Sequence, residues 1–218
     1  MWMLRLPGVY APQHDSRLLV AALGRERLPS GARVLDLCTG SGLLAVAAAR
    51  AGAKEVTAVD ISWRAVWTAR TNARLRRLPV TVRRGDLGAP VLGERFDLVL
   101  ANPPYVPALG AGWARTSRAA LGWDAGWDGR ALLDPLCALL PRMLSSHGVV
   151  LLVHSALCGV GRTILRLRDV GVRARVADRL VVPFGPVMLG RASWLEERGY
   201  IRPGQREEEL VVIRGSAS

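Results

Sequence analysis

The sequence predicts an α/β domain: a doubly wound, mainly parallel seven-stranded sheet whose last strand runs antiparallel. Three observations carry this. Short runs rich in Val, Leu and Ala alternate with stretches of helical periodicity along most of the chain. The first strand-like run leads into a glycine turn, Gly40-Ser41-Gly42, and then into a small-residue helix. The last two strand-like runs are separated by Pro183 to Glu208, as in an antiparallel hairpin that carries an inserted segment.

In chain order, residues 14–27 read as a helix, because Leu18, Leu19, Ala22 and Leu23 share one face. Gly31 breaks the chain before a short strand, Val34 to Leu37. The helix Leu43 to Arg50 follows and stops at Gly52. Val56 to Asp60 is a second strand, Trp63 to Arg76 a helix, and Val80 to Arg83 a third strand. Asp97 to Ala101 is the fourth strand. Residues 130–144 are expected to be helical, with a kink at Pro135 or Pro141. Val149 to Val153, Val172 to Val181 and Leu210 to Ile213 complete the strands, with a helix from Gly161 to Asp169 between the first two. Consecutive parallel strands require right-handed crossovers.

The chain has 218 residues, half of them hydrophobic, which suits one well-buried domain spanning 1–218. No run of about 18 uncharged apolar residues appears, so no membrane partner is expected. The apolar start, Met1 to Pro7, is too short for a signal peptide. Cys38, Cys137 and Cys158 have no metal spacing and read as reduced thiols, which suggests a cytoplasmic location. The formal charge is +12, almost all of it from arginine, since Lys54 is the only lysine. Such a balance suits RNA, a ribosome or an acidic protein, or simply charges spread over solvated faces.

Ligands of doubly wound sheets sit beyond the carboxyl ends of the strands. Four such ends carry chemistry here. The first is Asp36-Leu37-Cys38-Thr39-Gly40-Ser41-Gly42, where the glycines permit a tight turn and close backbone approach. At the second, the Asp60 carboxylate can accept both hydroxyls of a ribose. At the third, Gly85-Asp86-Leu87, Asp86 can accept from an adenine amine. The fourth is Asn102-Pro103-Pro104-Tyr105. Its prolines stiffen the turn and donate no N–H, so its carbonyls and the Asn102 oxygen are free to accept. Two rigid acceptors can grip a planar –NH2 group, with Tyr105 lying against it. A glutamine side chain and the amine of adenine or cytosine both qualify. An acid at 36, ahead of the glycines, opposes a pyrophosphate but suits a cationic ligand with an amino group. S-adenosyl-L-methionine is therefore favoured over a nicotinamide dinucleotide.

These residues resemble the class I S-adenosylmethionine-dependent methyltransferases with a Rossmann-like fold, and within them the HemK-like group that methylates protein glutamines. Val9-Tyr10-Ala11-Pro12-Gln13-His14-Asp15-Ser16 is similar to the Val-Tyr-x-Pro-x-x-Asp-Ser segment of the shorter archaeal and eukaryotic branch. Asp36 to Gly42 resembles the glycine loop, Asn102 to Val106 the catalytic turn, and Gly126-Trp127-Asp128-Gly129 the segment after the substrate loop. Cys38 stands where the family usually has Gly, and His14 where that branch usually has an acid. The helical domain that bacterial release-factor methyltransferases add at the N-terminus is not expected here. The resemblance implies direct in-line methyl transfer to nitrogen. It implies a protein substrate, first of all a translation release factor, and allows for a small activating partner protein. Together, residues and resemblance give Asn102, Pro103, Pro104 and Tyr105 as the catalytic set. The cofactor set is Asp36, Cys38, Thr39, Gly40, Gly42, Asp60, Ile61, Asp86, Leu87 and Asn102, with no metal site.

Residues 1–30 form a helical lead-in. Residues 106–127, which include Trp113, Trp123 and Trp127, are expected to form a substrate lid, the alternative being tryptophans that pin the segment to the core. His14 and His154 read as structural. Competing functions are a nucleic-acid amino-methyltransferase, which must flip its base out of the stack, a small-molecule methyltransferase and a non-catalytic binding subunit.

Overall fold

The computed structural model describes residues 1–108 and 122–217. The expected lid over 106–127 therefore lies largely outside the described residues, and Trp113 with it. Seven strands form one sheet: β1 Arg33–Leu37, β2 Glu55–Asp60, β3 Val80–Arg84, β4 Phe96–Ala101, β5 Leu144–Ser155, β6 Val172–Pro183 and β7 Glu207–Ala217. Their order is β3-β2-β1-β4-β5-β7-β6. β1 pairs parallel with β2 and β4, β2 with β3, and β4 with β5, whereas β7 is antiparallel to both β5 and β6. The expected topology, last strand included, is the one observed.

Alternation along the strands divides the core into two layers. Val34, Ala58, Leu98, Leu100, Leu151 and Val153 face α1 (His14–Leu23), α2 (Leu43–Arg50) and α3 (Trp63–Arg74). Leu35, Leu37, Val99, Val150 and Leu152 face α4 (Leu133–Leu139) and α5 (Val160–Asp169). Each fully buried leucine contributes about 1.5–3 kcal/mol of transfer free energy. No helix among the described residues is long and apolar enough to cross a membrane.

Three sequence expectations change at their edges. The helix placed at 130–144 is α4 alone, followed by a 3-10 turn, Leu140–Arg142, while β5 already begins at Leu144. Pro135 lies in the first turn of α4, where no intrahelical N–H bond is lost, so it causes no kink; Pro141 lacks the N–H needed to continue the helix. The first helix stops at Leu23, before Gly24, rather than at 27. The insert between β6 and β7 carries two short helices, α6 (Pro186–Gly190) and α7 (Ala192–Glu197). Their Met188, Ala192 and Leu195 form a third small core with Val106, Phe184 and Ile201.

Candidate active site

β1 is flanked by β2 and β4, so the chain reverses its winding direction there and opens a crevice at the carboxyl ends of β1 and β4. The Cys38–Gly42 loop and the Asn102–Tyr105 turn both border it. A cavity of about 360 Å3 fills the crevice, within the size range of cofactor sites. Cys38, Gly40, Asp60, Ile61, Asp86, Leu87, Asn102, Pro103, Pro104 and Tyr105 all line it. Two expected cofactor contacts, Thr39 and Gly42, and the acid Asp36 do not.

Asp36 is completely buried behind the glycine loop. Its Oδ2 accepts from the Thr39 hydroxyl and from the Ala45 N–H at 3.0 Å, which fastens the loop to the start of α2. Burial pushes its pKa up to about 7 against the pull of those two bonds. Asp36 stands one layer behind the cavity wall, whose acids are Asp15, Asp60 and Asp86, and its buried Oδ1 meets no donor among the described residues. No Arg, Lys or His lines the cavity among the described residues, although the chain carries a charge of +12.

Asp60 ties β2 to the glycine loop. Its Oδ2 accepts from Gly40 N–H at 2.9 Å and its Oδ1 from Ser62 N–H at 2.8 Å. Burial raises its pKa, opposed by these backbone donors and that of Ile61. A carboxylate has about four lone-pair sites, so acceptor capacity remains for the ligand. Cys38 (φ +57°) and Leu87 (φ +43°) are two of the three non-glycine residues in the left-handed region among those described, and both line the cavity. Such a residue costs about 1–3 kcal/mol, and such strain gathers at functional sites. It explains why glycine suits position 38 in the resembling family.

At the fourth strand end, Asn102 Nδ2 donates to Ser16 Oγ at 3.2 Å. Its Oδ1 and the Pro103 carbonyl meet no donor among the described residues. The Tyr105 hydroxyl donates to Asp15 Oδ2 at 3.2 Å, and its carbonyl accepts from Cys158 Sγ at 3.1 Å. Burial, reinforced by the Asp15 charge, pushes both the Tyr105 and Tyr10 hydroxyls well above their ordinary pKa. The turn is braced from below by Gly129 and by Arg130, which is buried and donates to the Cys158 carbonyl (2.6 Å), Thr163 Oγ1 (3.0 Å) and Asp134 (3.0 Å).

The described flanks of the expected lid pair with each other: Val106 N–H donates to Trp123 O at 2.8 Å and Ala125 N–H to Val106 O at 3.0 Å. Arg191 clamps this base through the Pro107 carbonyl at 2.8 Å and Asp124. Trp123 lines the cavity. Trp127 instead lies 6.2 Å from the Trp194 ring of α7, with Arg198 over its face, and stays exposed. His154 is buried on β5, its Nδ1 2.8 Å from the Ser155 carbonyl, and burial pushes its pKa down to about 4; His14 is exposed. Neither histidine lines the cavity. Tyr10, Asp15 and Trp123 belong to the cavity wall although residue chemistry alone did not assign them there. The Val9–Ser16 motif was the available signal.

Comparison with known proteins adds four findings. The family profile described as "Methyltransferase small domain" matches residues 1–116. A Methanocaldococcus jannaschii protein that bears the provisional name protein N5-glutamine methyltransferase is 37% identical over 183 residues, which is 84% of this chain and 90% of its own length. The Geobacter sulfurreducens release factor glutamine methyltransferase is 35% identical over 65% of this chain, which spans about half (51%) of that protein. Among solved structures, the E. cuniculi Mtq2-Trm112 complex, described as methylating the eRF1 termination factor, superposes with a TM-score of 0.67. The match covers 97% of this chain and 99% of that one at 23% identity, a likeness of fold.

Proposed function

The chain belongs to the methyltransferase small domain family, and on that premise we propose that it transfers a methyl group from S-adenosyl-L-methionine to a protein glutamine side chain, with a translation release factor as first substrate. The observation that carries the reading is a rigid pair of acceptors, Asn102 Oδ1 and the Pro103 carbonyl, that meet no donor among the described residues, at the rim of a cavity lined by acids and, among the described residues, by no bases. The donor set fits the cofactor. An acidic lining repels a pyrophosphate and suits a nucleoside that carries an ammonium and a sulfonium. When bound, that cofactor supplies an electrophilic methyl group. Asp60 holds two ribose hydroxyls, Asp86 accepts from the base, and Ile61 and Leu87 add apolar wall. Asn102 and Pro103 accept the two N–H groups of the target, orienting a nitrogen whose lone pair is otherwise delocalised. Such positioning lowers a barrier by about 7–11 kcal/mol in the best cases, and fixed dipoles add to it. Tyr105 closes one side.

On this reading residues 1–218 act as one catalytic domain, with 106–127 closing over the substrate. The relatives, named as glutamine methyltransferases, support a glutamine target, and the likeness to the Mtq2-Trm112 complex supports a small activating partner. A cytoplasmic setting fits three free cysteines. A base amine would fit the same pair of acceptors, so labelled cofactor is to be offered with purified release factors and matched RNA and DNA oligomers side by side. Label in the protein fraction supports the reading; label in nucleic acid alone overturns it.

Cofactor affinity depends on Asp60. Losing a charged acceptor costs about 1.5–3 kcal/mol, so Asp60→Ala is expected to weaken S-adenosyl-L-methionine binding by about tenfold or more. Calorimetry giving native affinity in a folded variant would refute the ribose assignment.

A further inference from the structure

We propose that Asp15 and Ser16 are positioning residues that set the polarity of the Asn102 amide, so that its oxygen and not its nitrogen faces the target. This rests on the reading of Asn102 as the group that receives an –NH2. The two ends of an asparagine amide are nearly the same in shape and opposite in function. Turned one way, Asn102 accepts a hydrogen bond from the target; turned the other, it opposes the target –NH2 with an –NH2 of its own. The Asn-Pro-Pro-Tyr turn by itself does not choose between them.

A chain of hydrogen bonds makes the choice. Asp15 Oδ1 receives the Ser16 N–H and, at 3.1 Å, the Ser16 hydroxyl. A carboxylate oxygen only accepts, so the single hydroxyl proton of Ser16 is committed to it. The Ser16 oxygen can then only accept, and the group it accepts from is Asn102 Nδ2 at 3.2 Å. Asn102 Oδ1 is left over, directed to no other donor among the described residues. The second Asp15 oxygen is engaged by Tyr10 at 2.8 Å and Tyr105 at 3.2 Å, so the carboxylate is held from both sides. Asp15 is 3% and Ser16 5% exposed. Both lie in the first turn of α1, which is anchored by the buried Leu18, Leu19, Ala22 and Leu23. Among the described residues no hydrogen bond joins Ser16 or Asn102 to the glycine loop or to Asp60, whose own partners are Gly40 and Ser62. The effect of Ser16 should therefore fall on the rate and not on cofactor affinity.

The test is a double-mutant cycle on the full chain, read as single-turnover methylation beside cofactor affinity by calorimetry. Asp15→Asn and Ser16→Ala, measured at saturating cofactor, are each expected to slow methyl transfer by about tenfold, the scale of one bond to a charged group, and Ser16→Ala, which removes no charge from the cavity wall, is expected to leave cofactor affinity unchanged. Ser16→Thr, which keeps the hydroxyl, should retain the native rate. In an Asn102→Ala background, Asp15→Asn should slow the reaction no further, because its effect passes through Asn102. A native rate in both single variants, or an Asp15→Asn loss that persists in full in the Asn102→Ala background, overturns the proposal. Should Asp15→Asn fail to fold, the Ser16→Ala and Ser16→Thr pair decides. The wild-type protein tests the glutamine reading separately. If it methylates a base amine instead, the same variants are measured on that substrate, since only an –NH2 target is required. The Asn102 side-chain N–H signals give a substrate-free check by NMR: exchange with solvent should be slow in the wild type and fast in Ser16→Ala, and equal exchange in the two overturns the proposal.

Discussion

Asn102→Ala is expected to keep its affinity for S-adenosyl-L-methionine and to lose about 100-fold or more in the single-turnover rate, the scale of one preorganised contact. The separation follows from the site. Asn102 belongs to the turn after β4, whereas the acids assigned to the nucleoside end β2 and follow β3. Truncation removes the side-chain acceptor assigned to the target and leaves those carboxylates in place. It also frees Ser16 Oγ, a group that water can satisfy. Tyr105→Ala should slow the reaction less, since Tyr105 contributes a wall and not the acceptor. Rates measured with saturating cofactor, together with a binding isotherm, check the prediction. A native rate in the folded Asn102→Ala protein would remove the in-line amide reading.

Gly129→Ala is expected to destabilise the whole domain and disturb the catalytic turn together. Gly129 has φ +72°, and an added Cβ would lie 2.3 Å from the Tyr105 carbonyl oxygen and 2.8 Å from Cys158 Sγ. Left-handed strain and overpacking each cost about 1–3 kcal/mol, so roughly 2–6 kcal/mol is expected in sum. For a chain of this length that lowers the melting temperature by roughly 4–24 °C. The neighbour is backbone and cannot swing aside. The turn must move, and the methylation rate should fall even below the melting range. Thermal melts and rates at low temperature check both parts; a variant with native values in both would show that the contact is relieved elsewhere.

The sheet was legible because β1, β2 and β4 are mostly apolar, buried runs, as central parallel strands require, while the edge strand β3 shows itself by alternation, with Val80 and Val82 on one face. The ligand-side ends were legible for the same reason: Asp60, Asp86 and Asn102 each follow the last apolar residue of a run or stand just beyond it. Asp36 was not, because whether an acid before a glycine loop faces the ligand or the core depends on how Cys38 to Gly42 folds back, and Cys38 adopts a left-handed φ that its side chain does not advertise. The link between Ser16 and Asn102 spans 86 residues and leaves no local pattern. The helices of the insert are five and six residues long, too short to show a period. The contacts of Trp127 with Trp194 and Arg198 were not legible, because both partners lie far along the chain.

The most direct measurement is mass-spectrometric mapping of the methyl group on a purified release factor after incubation with the protein and S-adenosyl-L-methionine. A single added methyl on the glutamine side-chain nitrogen of an exposed Gly-Gly-Gln loop, absent with Asn102→Ala, is the expected result. An unmodified release factor, with the methyl group found on the amine of adenine or cytosine in oligonucleotides offered alongside, would contradict it.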